Sequence, residues 1–163
     1  MKIAIIYHSE SGNTAKVADL IAAGARINPA IEIKTMSIDA VDPEFVAAAQ
    51  AVIFGCPTYY GTFSWQMKKW FDTKGKLSLA GKLGSVFATA NFFGGGAENA
   101  ELGIAAHLLV SGMLVYAPGV SQGTPYTHYG AVAIKDGDDF QKERAKIFGQ
   151  RVAAKAFELF GER

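Results

Sequence analysis

The residues best able to do chemistry stand at the end of the first apolar run. Lys2 to Tyr7 reads Lys-Ile-Ala-Ile-Ile-Tyr and passes at once into His8-Ser9-Glu10-Ser11-Gly12-Asn13-Thr14. Ser9, Ser11, Asn13 and Thr14 offer side-chain donors. Ala15, Val17, Ala18, Leu20, Ile21 and Ala22 follow at helical spacing, so the turn ends at a helix N-terminus. Unpaired N–H groups and the positive end of the dipole suit an anion there, and a phosphate would sit on this turn. The loop contains no Lys or Arg, and the Gly-x-x-x-x-Gly-Lys-Ser/Thr pattern of a nucleoside triphosphate site is absent. A phosphate held here by neutral donors fits a monoester that stays bound better than one being transferred. The same residues equally describe a turn capped by Asn13 or Ser11.

Two further loops pair aromatics with glycine: Cys56-Pro-Thr-Tyr-Tyr-Gly-Thr-Phe63 and Thr89-Ala-Asn-Phe-Phe-Gly-Gly-Gly-Ala97. Adjacent aromatics in an exposed loop are costly unless something covers them, and glycines let backbone N–H groups approach a flat polar ligand edge-on. A planar heteroaromatic ring meets both conditions.

The elements that must position these loops follow from short apolar runs alternating with helical patterns. Strands are expected at 2–7, 31–36, 51–55, 83–90 and 113–117, the first, third and fourth apolar on both faces. Helices are expected at 13–25, 43–49, 64–74, 98–111 and 138–160, the last carrying Phe140, Ala145, Phe148, Val152, Ala156 and Phe157 on one side. Pro43 and Gly112 mark a helix start and a helix end, while Gly75–Gly84 and Gly119–Gly130 read as loops. Alternating strands and helices imply an α/β fold: a doubly wound, five-stranded parallel sheet in a three-layer α/β/α sandwich with right-handed crossovers. Such a sheet binds ligands outside the carboxyl ends of its strands, where strand order reverses, and all three loops meet that condition.

The 163 residues suit one domain spanning 1–163, with half of them apolar. Charged residues are 19% and the formal net charge is +1, which argues against electrostatic binding to nucleic acid or a membrane surface. The single cysteine, Cys56, excludes an internal disulfide and a Cys-rich metal site. The run Ile3 to Tyr7 is too short for a signal peptide or a membrane span, so the cytoplasm is the default and no membrane insertion is expected.

With phosphate donors in one loop and aromatic-plus-glycine walls in two others, the chain resembles the flavodoxin-like FMN-binding proteins over essentially its whole length. More narrowly it resembles the WrbA-type NAD(P)H:quinone oxidoreductases in a short form, through Gly61-Thr-Phe-Ser-Trp-Gln-Met-Lys-Lys-Trp-Phe-Asp72, Gly81-Lys-Leu-Gly-Ser-Val-Phe87, Gly94-Gly-Gly96 and Gly123-Thr-Pro-Tyr126. The resemblance implies that Ser9, Ser11, Gly12, Asn13 and Thr14 hold the FMN phosphate. It implies a ring lying between Pro57, Thr58, Tyr59, Tyr60, Gly61, Thr62 and Phe63 on one side and Thr89, Ala90, Asn91, Phe92, Gly94, Gly95 and Gly96 on the other. Chemistry would be carried by FMN with no catalytic side chain: a nicotinamide reduces the flavin and electrons pass on to a quinone.

Three departures bear on that activity. Tyr59 stands where the WrbA-type group commonly has Arg, Ser111 where it has His before Gly-Met, and a long insertion between the second and third strands is missing. Tyr59, Ser111 and His128, in the Gly-Thr-Pro-Tyr-Thr-His-Tyr loop, are the candidate substrate contacts. The rival redox reading is a flavodoxin that shuttles one electron between protein partners; such carriers usually show a strongly acidic face, and a balanced +1 chain offers no obvious field of that kind, though it leaves room for a local acidic patch. A non-catalytic FMN-binding sensor or scaffold is the alternative of another class. Cys56 reads as a packed small residue, His107 as structural, and His8 as either a neighbour of the phosphate or a packed strand end. Trp65, Met67, Trp70 and Phe71 recur at helical spacing as core or subunit contacts, and their exposed members would serve a homo-oligomer.

Overall fold

The computed structural model describes residues 1–27 and 29–161. Its first strand, β1 (Lys2–Tyr7), alternates its side chains between two cores, Ile3 and Ile5 facing one and Ala4 and Ile6 the other. Helices α1 (Asn13–Ala25) and α5 (Asp139–Phe160) cover the first core through Val17, Ile21, Phe148 and Val152. Helices α2 (Pro43–Ala48), α3 (Trp65–Thr73) and α4 (Ala97–Val110) cover the second through Phe45, Met67, Phe71, Ile104 and Leu108. A strand sandwiched in this way must be apolar on both sides, and β3 (Ala51–Tyr59) is buried from Ala51 to Cys56 and β5 (Leu83–Ala90) throughout, accordingly.

The main strands run in the order β2 (Glu32–Ser37), β1, β3, β5, all parallel, with the reversal of chain direction across the sheet falling between β1 and β3. Among the described residues the sheet has seven strands rather than five. The strand expected at 113–117 shrinks to β6 (Leu114–Val115), which pairs only with Leu83 and Gly84. The rest of that sheet position is filled by β7 (Gly130–Ile134), paired with Val86 to Ala90. One edge position is therefore built from two pieces with residues 116–129 looping out between them. Gly130-Ala-Val-Ala-Ile134 is a five-residue run set between a glycine-rich segment and Lys135-Asp136-Gly137, and its first residue fell inside the expected Gly119–Gly130 loop. The seventh strand, β4 (Thr62–Phe63), turns back antiparallel on β3 as a hairpin, which extends β3 four residues past its expected end at 55.

Helix ends obey their local signals. Asp42 accepts from the Phe45 N–H at 2.9 Å ahead of Pro43, and Asp138 forms a capping box with Gln141 at the start of α5. Along α5, Ala145, Phe148, Val152 and Ala156 are buried as expected, but Phe140 and Phe157 are exposed, at 66% and 42%. Phe140 lies in the first turn, before the helix reaches α1. Gly24 and Gly149 set the α1–α5 approach: a Cβ on Gly24 would run into the backbone carbonyl of Lys146, and one on Gly149 into that of Ile21. Among the described residues no helix is long and apolar enough to cross a membrane.

Candidate functional site

The turn between β1 and α1 is shaped by Gly12, which occupies the N-cap position at φ 89°, a left-handed conformation that suits glycine. No side chain caps the helix from that position, so the alternative of an Asn13 or Ser11 cap does not hold. Ser9 sits behind the turn, its Oγ accepting from the Ala15 N–H at 3.3 Å. Thr14 and Thr89, both buried, share a hydroxyl–hydroxyl hydrogen bond of 2.8 Å that ties the end of β5 to the first turn of α1. A pair of hydroxyls needs only one proton for its mutual bond, which leaves the other free to donate outward.

These groups open onto a cavity of about 290 Å³. Of the sequence-predicted residues it brings together Ser11, Asn13, Thr14, Pro57, Thr58, Tyr59, Thr89, Ala90 and Asn91, drawn from the loops after β1, β3 and β5. Thr89, expected on a ring wall, stands instead with the hydroxyls of the first loop. Thr58 Oγ1 is buried and has no hydrogen-bond partner, an uncommon state for a polar atom unless a further group completes it. Two residues that sequence reasoning missed also line the cavity, Glu10 and Lys135. Lys135 adds a basic residue to a lining for which the sequence suggested neutral donors alone: it follows β7 directly and is placed there only once that strand is formed.

The second loop is a hairpin. Tyr59 pairs with Thr62, so Tyr60 and Gly61 form a two-residue turn, both at positive φ (49° and 80°), the pattern of a type I′ turn. The Tyr60 side chain is fully exposed. Asn99 donates to the Gly61 carbonyl at 2.7 Å, and a Cβ on Gly96 would lie 2.8 Å from Gly61, so the hairpin is held against the start of α4 with no room between them. Burial, followed by the nearby Glu10 carboxylate, raises the Tyr59 phenol above its ordinary value. Thr62 is exposed, and Phe63 turns away from the cavity: its ring meets His107 edge-on at 5.2 Å and fills the space left by Gly103. Phe63 is thus a packing residue and not part of the cavity wall.

Several expected site residues lie elsewhere. Phe92, Gly94 and Gly95 line a separate, larger groove, as does His128, a left-handed residue at φ 45° bridged to Gly119. The segment 92–95 runs along the outer side of its loop, and Ala90 and Asn91 alone remain at the cavity with Thr89. Ser111 caps the far end of α4, whose 14 residues rise about 21 Å from the end nearest the hairpin. Within one chain Ser111 therefore stands apart from the cavity that gathers the other candidates.

The remaining candidates are structural. His8 Nδ1 bonds Ser64 Oγ at 2.9 Å in a buried position, and burial lowers its pKa despite the nearby Glu10 and Asp39. Burial pushes the Cys56 thiol up to about 11, far from a reactive thiolate. His107 Nδ1 lies 2.9 Å from the Gly103 carbonyl on its own helix, and its ring packs near Phe71. Met67 and Phe71 are buried, whereas Trp65 is exposed under the Lys69 ammonium.

The flavodoxin family profile matches residues 5–102. A protein named flavodoxin from Clostridium saccharobutylicum is 48% identical over 160 residues, spanning 98% of this chain and all of that one. This chain belongs to the flavodoxin family. An Archaeoglobus fulgidus protein named NAD(P)H dehydrogenase (quinone) is 32% identical over 97% of the chain and 98% of its own length. Among solved structures, a flavodoxin, WrbA-like protein from Agrobacterium tumefaciens superposes with a TM-score of 0.81 at 25% identity, covering 96% of this chain and 98% of that one. The family's cofactor is FMN, as the sequence implied. Flavodoxin is itself the standing illustration of the rule that places the ligand at the reversal of strand order. The cavity fits such a group on its own chemistry: the start of α1 behind a glycine N-cap, a buried hydroxyl pair, the unpartnered Thr58 hydroxyl and Lys135 in the lining.

Proposed function

We propose that this chain carries single electrons between redox protein partners, with FMN held in the cavity between the loops after β1, β3 and β5 and residues 1–163 acting as one cofactor-binding domain. The observation that carries this reading is the match to a protein named flavodoxin, 48% identical over 98% of this chain and all of that one. Ser11, Asn13, Thr14 and Thr89, with the first turn of α1 and the Lys135 ammonium, would bind the phosphate. Thr58, Tyr59 and Asn91 would line the path from the phosphate to the ring, and Tyr60, on the tip of its rigid hairpin, would cover the ring from outside. Bound FMN supplies the redox chemistry, taking up and giving back electrons. The protein's share is to hold the ring where a partner can reach it, and the hairpin latched by Asn99 gives that position little freedom.

The reading expected first from the sequence, two-electron reduction of quinones by NAD(P)H, stands second. The A. fulgidus relative favours it. Against it, the positions that carry Arg and His in the WrbA-type pattern are here Tyr59, beside the cavity, and Ser111, at the far end of α4. Neither offers a cation or an imidazole to a nicotinamide. Steady-state assays of FMN-loaded protein decide between the two. Turnover of NADH or NADPH with a quinone at rates above that of free FMN would support the reductase; none, together with reduction by a ferredoxin- or flavodoxin-reductase, would support the carrier. Binding FMN with neither activity would assign the sensor or scaffold role.

A further inference from the structure

Beyond the cofactor cavity, a groove of about 1080 Å³ runs along the free edge of β7, between the starts of α4 and α5 and under the 116–129 segment. The two cavities share no lining residue. The groove has aromatic walls, with Phe92 and Phe93 on one side and Tyr126, Tyr129 and Phe140 on others, and each of these rings is substantially exposed. In its lining stands Glu101, 1% exposed, whose Oε1 has no hydrogen-bond partner. Among the described residues Glu101 forms no ion pair within 4.0 Å.

The nearest cation does not complete it. Arg144 commits two of its five N–H donors to backbone carbonyls, Nε to Tyr126 at 2.7 Å and one terminal nitrogen to Gly130 at 3.2 Å, and among the described residues it makes no hydrogen bond to Glu101. Gly130 also leaves the carboxyl its space, because a Cβ there would stand 2.6 Å from Glu101 Oε1. Glu98 and Asp138 line the same groove, so it presents three acids and one Arg. Acids set among electron-rich ring faces are a combination that attracts an organic cation. An unpartnered buried carboxyl is costly to keep unless something supplies the missing hydrogen bond.

We propose that this groove is a second ligand site, separate from the cofactor cavity, that takes a small planar aromatic cation, the Glu101 carboxyl giving up its proton as the cation arrives and becoming its anionic partner. A flat amidinium or ammonium-bearing ring would stack on the aromatic walls and place its N–H groups on Glu101. A docking protein would cover the exposed rim but would not reach a carboxyl buried beneath it.

The test uses FMN-loaded protein with benzamidine as the cationic probe and benzamide as its neutral counterpart, followed by amide NMR shifts. Benzamidine is expected to give saturable shifts confined to residues 92–95, 119–132 and 138–144, with benzamide binding at least about tenfold more weakly. Glu101→Gln and, independently, Phe140→Ala on the exposed rim should each weaken benzamidine by about tenfold or more while the flavin spectrum stays unchanged. Should Glu101→Gln fail to fold, Phe140→Ala and the benzamide comparison decide alone. The proposal is overturned if benzamide binds as tightly, if the shifts do not saturate or scatter over the surface, or if both variants bind as the parent does. It is overturned equally if the same amides shift with protein concentration alone, which would give the groove to a second copy. None of these readouts depends on electron transfer, so failure here leaves the carrier reading standing.

Discussion

Replacing Thr14 by valine separates the phosphate role of its hydroxyl from its structural role. The side chain is 2% exposed and its Oγ1 lies 2.8 Å from Thr89 Oγ1, itself 3% exposed. Valine keeps the shape and removes only the hydroxyl, so Thr89 is left with a buried polar atom and no partner. That should cost the cofactor-free protein about 1–3 kcal/mol in urea unfolding. A hydrogen bond to a charged group contributes about 1.5–3 kcal/mol, so FMN affinity should fall by about 10- to 150-fold in a fluorescence titration. Riboflavin, which lacks the phosphate, should bind the variant and the parent alike. The double variant Thr14→Val/Thr89→Val removes both partners of the bond; it should recover most of the lost stability and remain defective toward FMN. Unchanged FMN affinity in Thr14→Val, or equal losses for FMN and riboflavin, would refute the phosphate assignment. Simple additivity of the two stability losses would refute the coupling of the hydroxyls.

Lys135→Met should weaken FMN by about fivefold, roughly 1 kcal/mol for an exposed cation, and should flatten the salt dependence of FMN binding while leaving riboflavin unaffected. Tyr60→Asn should stabilise the cofactor-free protein by about 0.5–1 kcal/mol, since Asn-Gly is the pair a type I′ turn prefers, yet weaken the FMN complex; a gain in both would mean that Tyr60 does not touch the ring. Burial, set against Arg144 and reinforced by Glu98, raises the Glu101 carboxyl well above its ordinary value. From about pH 4.3 up to that raised value the folded protein keeps a proton the unfolded chain has lost. Stability should therefore fall with rising pH by up to about 1.4 kcal/mol per unit, a slope that Glu101→Gln should abolish in urea unfolding measured across that range.

The parts of the site that rest on local chemistry were legible in the sequence. The strand-to-helix passage at Tyr7–Asn13 announces itself by an apolar run, a glycine and a set of short polar residues, and α1 begins at Asn13 as expected. The core followed for the same reason, because period-two strands and helical stripes are read a few residues at a time. What failed depends on tertiary placement. Lys135 reaches the cavity through β7, too short a run to stand out beside so many glycines. Phe63 follows Tyr59 and Tyr60 within one loop, and only the hairpin turns it inward onto Gly103. Phe92, Gly94 and Gly95 belong to the expected loop but face its other side. Glu101 and Arg144 line one groove from two helices, with nothing in either segment to place them there.

The most direct test of the carrier reading is an anaerobic potentiometric titration of FMN-loaded protein, read by absorption, with NADH and NADPH added in a parallel cuvette. A one-electron carrier should show two well-separated one-electron midpoint potentials and no bleaching by either nucleotide within minutes. A single two-electron step, with rapid bleaching by a nucleotide and recovery on adding quinone, would contradict it.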